Sequence, residues 1–211
     1  MILNNVTKFP IVIIAPPRSG SIITCKQIGV DLGIRHFFDL TYRDNQTEFN
    51  EFLDFAQTND QYVIKFHSYD IEKYPTWLTD KIYNGSTYNV KVIRNNTSLQ
   101  IASLYIAGIR DQFHYNSENT EDYIGPIDIN TLHIVEAIRH IRRNIKELEN
   151  LSVPFDAVIE YENCKYTDDI SIKTPLPSNY NELLIRINKL LKYDDKVLAA
   201  INHVLFKITK V

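Results

Sequence analysis

The chain has 211 residues, 44% of them hydrophobic and 23% charged, with a formal net charge of −3. That size and composition predict one globular domain over residues 1–211 with a sizeable core, and exclude a disordered or low-complexity chain. The slight acidity gives no electrostatic footprint for a nucleic-acid partner, and no apolar run reaches the roughly 20 residues that a membrane-spanning helix needs.

The first ten residues show no basic stretch followed by an apolar core, so no secretory signal is expected. A cytoplasmic location follows as the expectation, with Cys25 and Cys164 as free thiols rather than a disulfide. The abundance of Ile, Asn, Lys and Tyr suggests an AT-rich coding sequence of viral or microbial origin.

Along the chain, the first clear element is a β-branched strand at Val12–Ala15. A short loop, Pro16-Pro17-Arg18-Ser19-Gly20, leads into a helix predicted over Ser21–Leu32. Glu48–Thr58 carries apolar residues at helical spacing, and Tyr62–Phe66 reads as the second strand. Asn89–Ile93 is the third strand, followed by a helix over Ser98–Ile109. Residues 111–130 are polar and form a loop expected to order around a ligand. Thr131–Leu151 has the clearest helical stripe, through Ile134, Ile138, Ile141, Ile145 and Leu148. Phe155–Glu160 is a fourth strand, residues 165–181 are irregular, and Asn181–Leu191 and Asp195–Ile208 are terminal helices. Strands alternating with helices predict an α/β three-layer sandwich around a mainly parallel sheet. In such sheets ligands sit at the carboxyl ends of the strands. The first loop, the Lys65–Ser68 segment and Arg94 all fall at such ends.

The strand–loop–helix unit is laid out to bind an anion, in the manner of P-loop nucleotide-binding folds. Backbone N–H groups from Ser19 to Ile22 open the helix, and its dipole favours negative charge there. Arg18 adds a cation, and Ser19 and Ser21 add hydroxyls. Gly20 and Ile22 complete the expected anion-binding set of the loop. The Gly-Lys-[Ser/Thr] ending of a Walker A loop is missing. A plain strand–turn–helix with a surface Arg would share the same local pattern. His133 and His140 stand seven residues apart rather than four, so they make no helical metal pair, and no metal site is expected.

The string Pro16-Pro17-Arg18-Ser19-Gly20-Ser21 resembles the 5′-phosphosulfate loop of sulfotransferases, which use 3′-phosphoadenosine 5′-phosphosulfate (PAPS). Arg94 at a strand end and Ser103 in the next helix resemble the pair that clasps the 3′-phosphate in that family. The interval between them, and the string Gln100-Ile101-Ala102-Ser103-Leu104, are closer to the bacterial glycolipid type, similar to trehalose sulfotransferases. Lys65-Phe66-His67 resembles the Lys-x-His of cytosolic members, in which His is the base and Lys assists at the bridging oxygen. Asp39 falls near the position of the general-base Glu of the bacterial type, so His67 and Asp39 both stand as candidate bases. Tyr161-Glu162 resembles a pair whose role in the family is mostly structural.

The resemblance covers residues 10 to 165 or so and implies a PAPS-dependent sulfotransferase. Its acceptor would be a hydroxyl-bearing small molecule or carbohydrate, its product 3′,5′-ADP, and it would need no metal. The segment 165–181 lacks the basic Gly-rich stretch with which many members cover the nucleotide. Two other readings stay open: a P-loop-like small-molecule kinase, and a non-catalytic nucleotide-binding protein of the same fold. Oligomeric state, including a homo-oligomer, also stays open.

Overall fold

A computed structural model describes residues 2–3, 5–38, 40, 46–110, 125–167 and 175–208. The chain divides into two compact units, Met1–Asn95 with Asn144–Ile172, and Asn96–Arg143 with Lys173–Val211.

The first unit holds a five-stranded, all-parallel sheet. Its strands are β1 (Ile11–Ala15), β2 (Arg35–Phe38), β3 (Tyr62–His67), β4 (Tyr88–Ile93) and β5 (Ala157–Glu160), in the order β2-β3-β1-β4-β5. β1 is the central strand, and all five of its residues are fully buried between β3 and β4. A run of five apolar residues without alternation is what a strand covered on both faces requires.

Side-chain parity sends β1 to two cores. Val12 and Ile14 join Ile64 and Phe66 of β3 beneath helix α2 (Gln46–Thr58) and helix α3 (Thr76–Tyr83). Leu148, near the end of helix α5 (Thr131–Asn150), packs into that same core. Ile11, Ile13 and Ala15 face the other way, with Val90 and Val92, against Cys25 and Ile28 of helix α1 (Ser21–Leu32). The helix–sheet–helix layering of this unit follows from the chain's path. It leaves β1 outward to β2, then steps back through β3 and across to β4, and that reversal puts α1 on the opposite face from α2 and α3. Both cysteines are thiols rather than halves of a disulfide, with Cys25 buried and its Sγ 3.4 Å from the Phe37 carbonyl.

Gly33 closes α1 at φ 66°, where a left-handed residue lets the following N–H groups return to the last turn. The sequence pattern does not predict one strand and one α-helix, β2 and α3. β2 is an edge strand whose Arg35 is exposed and His36 half-buried, so only Phe37 marks a core face. α3 is eight residues long and buries only Leu78 and Ile82. The strand expected as fourth is therefore β5, and it begins at Ala157.

The second unit packs helix α4 (Thr97–Ile109) against helix α6 (Tyr180–Leu190), with helix α7 (Asp195–Ile208) following. Its connections are pinned by side chains. Tyr105 Oη donates to the Asp128 carbonyl and accepts from Asn130 N–H, each at 2.7 Å. Arg142 donates to the carbonyls of Leu191 and Tyr193 and pairs with Asp195 at 2.9 Å. Among the described residues, no helix is long and apolar enough to cross a membrane.

Candidate functional site

The sheet order brings three segments, distant in sequence, side by side at the carboxyl edge. β3 and β4 flank β1, so the loop after β1 lies between the end of β3, with Lys65 and His67, and the end of β4, with Arg94. Ala15 stands opposite His67 in register. This edge is also where the chain's direction reverses, the place where open α/β sheets form a binding crevice.

The loop is shaped by two residues of positive φ, Arg18 at 59° and Gly20 at 84°, with Ser19 between them. Alternating backbone handedness curls successive N–H groups into a concave, anion-attracting nest. Ser21 and Ile22 open α1 directly behind it. The helix has no side-chain cap and no acidic residue in its first turn, so its positive end is not neutralised from within. Ser19 is fully buried, yet its hydroxyl has no hydrogen-bond partner among the described residues. Ser68, just beyond His67, is also buried, and its hydroxyl likewise has no partner among the described residues. An unsatisfied buried hydroxyl costs about 1–3 kcal/mol. Its presence beside an uncapped helix start fits a tetrahedral anion as the missing partner.

Tyr161 forms one wall of the loop. Its ring lies so close to Gly20 that any Cβ there would collide with Cδ2, Cε2 and Cγ of the ring. The Arg94 guanidinium stands over the same ring at 5.2 Å and donates to the Arg18 carbonyl at 3.3 Å. Glu162 pairs with it, with Oε1 3.7 Å from Arg94 Nε and Oε2 accepting from Asn95 N–H at 3.0 Å. Tyr161-Glu162 thus fixes Arg94 against the loop. Further along, Tyr166 Oη lies 2.9 Å from Thr24 Oγ1. The Thr24 hydroxyl donates to the Gly20 carbonyl at 3.0 Å, so Tyr166 is the donor in that pair. Burial holds the Tyr166 hydroxyl well above the ordinary phenol range, so it stays protonated. Gln27 Oε1 accepts from Thr167 N–H at 2.9 Å and fastens the same segment to α1.

Lys65 is almost completely buried, and its Nζ lies 2.8 Å from His67 Nε2. His67 Nδ1 is 3.3 Å from the Ala15 carbonyl. A carbonyl only accepts, so Nδ1 carries the proton and Nε2 offers its lone pair to the Lys65 ammonium. The Tyr69 ring stacks on the imidazole, nearly parallel at 8° with centroids 5.2 Å apart. The site can therefore hold an anion and present a single-tautomer imidazole beside it.

Of the expected site residues, Arg18, Ser19, Gly20, Ser21, Ile22, Lys65, His67 and Arg94 converge on this edge of the first unit. Ser103 is half-buried in α4 and belongs to the second unit. Asp39, the alternative base, lies outside the described residues, as does most of the 111–130 loop. Sequence reasoning missed Tyr69, Thr24, Tyr166 and Gln27. A run of apolar or polar residues gives no signal for a side-chain pair formed across a turn or across some 140 residues. Among the described residues, no three His, Cys, Asp or Glu side chains gather as a metal-binding group. No family model, curated protein or solved structure matches this chain.

Proposed function

We propose that this chain is a PAPS-dependent sulfotransferase, with a P-loop-like anion loop and a hydroxyl of a small molecule or carbohydrate as acceptor. One observation carries the reading. An uncapped helix start, with a buried Ser19 hydroxyl that has no partner among the described residues, lies next to a strand that ends in a hydrogen-bonded Lys65–His67 pair.

In the reaction, the acceptor oxygen attacks sulfur as the bond from sulfur to the bridging oxygen breaks. The electron pair of that bond stays on the 5′-phosphate of 3′,5′-ADP, and the acceptor proton passes to His67 Nε2. Lys65 turns its ammonium from His67 to the bridging oxygen, which both neutralises the leaving charge and frees the imidazole lone pair. Arg18, Ser19 and the N–H groups from Ser19 to Ile22 hold the transferring group's oxygens, the preorganised donor set that such a transition state rewards. Arg94, tied to the loop through the Arg18 carbonyl, serves the 3′-phosphate.

The test is a thermal-shift comparison of 3′,5′-ADP, AMP and Mg-ATP, followed by an acceptor screen with labelled PAPS. A ligand that binds only the native state raises apparent stability. 3′,5′-ADP should stabilise without added metal and far more than AMP. Equal shifts would remove the 3′-phosphate assignment, and a shift only with Mg-ATP would favour the kinase reading over the sulfotransferase one.

A further inference from the structure

Helix α7 of the second unit turns much of its apolar surface outward. Among its described side chains Leu198 alone is buried. Val197 is 40% and Val204 55% exposed, Ala200 is open to solvent and Ile201 is half-buried. These four follow one another at intervals of 3, 1 and 3 residues, so helical geometry sets them in one stripe. Single exposed apolar residues are ordinary, whereas a contiguous stripe marks a contact surface. The charges at its two ends say what fits it. Asp194 caps the helix, its Oδ1 accepting from the N–H groups of Lys196 and Val197 at 2.9 Å each. Lys207 stands in the last turn. Both residues are exposed. The pairs Asp194 and Lys207, Val197 and Val204, and Ala200 and Ile201 all share one midpoint in the sequence, between Ala200 and Ile201.

We propose that α7 pairs antiparallel with α7 of a second copy of this chain, about a twofold axis between Ala200 and Ile201. A helix with that symmetry matches itself turned end for end. Val197 then meets Val204 of the second copy, Ala200 meets Ile201, and Asp194 comes level with Lys207. The acidic start of each helix lies beside the basic end of the other, and the two helix dipoles run opposed. A parallel pairing would set Asp194 beside Asp194 and Lys207 beside Lys207, so charge selects the antiparallel one. Such a contact is isologous and closes at two copies. It stands apart from the reaction proposed above. Its size sets its strength. A helix of 14 residues is about 21 Å long. It brings four apolar side chains to a contact, where a standard stable interface uses roughly 20–30 residues a side. The dimer is therefore weak and depends on concentration.

Sedimentation velocity of the full chain over roughly 10–500 µM should show a reversible monomer–dimer equilibrium. Val204→Glu should raise the dissociation constant at least about tenfold, because each dimer then buries two carboxylates against valine. Val204 is exposed in the single chain, so the melting temperature should hold. If Val204→Glu does not fold, Val197→Glu gives the same readout, since the helix dipole favours an acid in the first turn. Orientation is read by air oxidation and non-reducing electrophoresis. Val197→Cys/Val204→Cys should form a disulfide-linked dimer, and neither single variant should exceed the unaltered chain, which controls for Cys25 and Cys164. Two copies of Val197, or two of Val204, stand about 10 Å apart along an antiparallel pair, too far for a disulfide. Three results would each overturn the proposal: an unaltered chain that stays monomeric throughout, a dimer that the glutamate variants leave intact, or extra covalent dimer from a single cysteine variant.

Discussion

Gly20→Ala separates two costs that usually arrive together. The first is conformational: at φ 84° a Cβ is strained, by about 1–2 kcal/mol. The second is steric and specific to this loop, because the new methyl would stand 2.0 Å from Tyr161 Cδ2 and 2.3 Å from Cε2. The ring must then leave its place. It gives up the cation–π contact to Arg94, about 0.5–1 kcal/mol, and its tilted contact to Tyr166 at 5.4 Å, worth a similar amount. The expected total is about 2–4 kcal/mol. Gly33→Ala is the internal control: it shares the positive φ, at 66°, but its Cβ meets nothing within 4 Å, so it should cost only the conformational part, about 1–2 kcal/mol. Urea denaturation measures both. In a Tyr161→Ala background the cost of Gly20→Ala should fall to that of Gly33→Ala. Equal costs for the two glycines in the unaltered chain, or no relief on removing Tyr161, would refute the packing argument.

Three further outcomes are expected. Arg18 holds a positive φ without being glycine, so Arg18→Gly should stabilise the fold by about 1 kcal/mol in denaturation while weakening 3′,5′-ADP binding at least tenfold by calorimetry. Ser19→Ala removes a buried hydroxyl that has no partner among the described residues, so it should leave the melting temperature unchanged or higher and lower the affinity for 3′,5′-ADP; a loss of stability would mean that the hydroxyl is already satisfied. Burial, helped by Lys26, pulls the His36 pKa below its ordinary 6.5, so the native state favours the neutral ring. Its contribution is whole above that pH and is lost as the pH falls below 6.5 through the folded value, so His36→Gln should flatten the decline in melting temperature between pH 7.5 and 5.

Local signals carried much of the fold. The bounds of α1 agree with the expectation because apolar periodicity, a Pro/Gly loop before it and Gly33 after it are all adjacent in sequence. β2 escaped because two of its four residues are polar and an edge strand needs little burial. α3 escaped because two buried residues in eight make no stripe. At the site, the loop was legible for the same reason as α1. The neighbours of the loop were not, since placing β3 and β4 beside β1 depends on strand order rather than on any residue's type. The Tyr161 ring against Gly20 and the Tyr69 ring on His67 depend on side-chain direction after a turn, which spacing alone does not encode.

The central placement of β1 has a consequence for how the chain is made. Its parallel partners are Val63 and Tyr88 opposite Ile11, so they follow it by about 50 and 75 residues. At a synthesis rate of about 5–20 residues per second, this wholly apolar strand leaves the ribosome roughly 3–10 s before β3 can pair with it, and longer still before β4 can. Throughout that interval Ile11–Ala15 offers two bare backbone edges and two oily faces. Non-local pairing of this kind is slow and exposes the nascent chain to aggregation. Recombinant yield should therefore depend on temperature and on holdase chaperones more steeply than the stability of the finished protein would suggest.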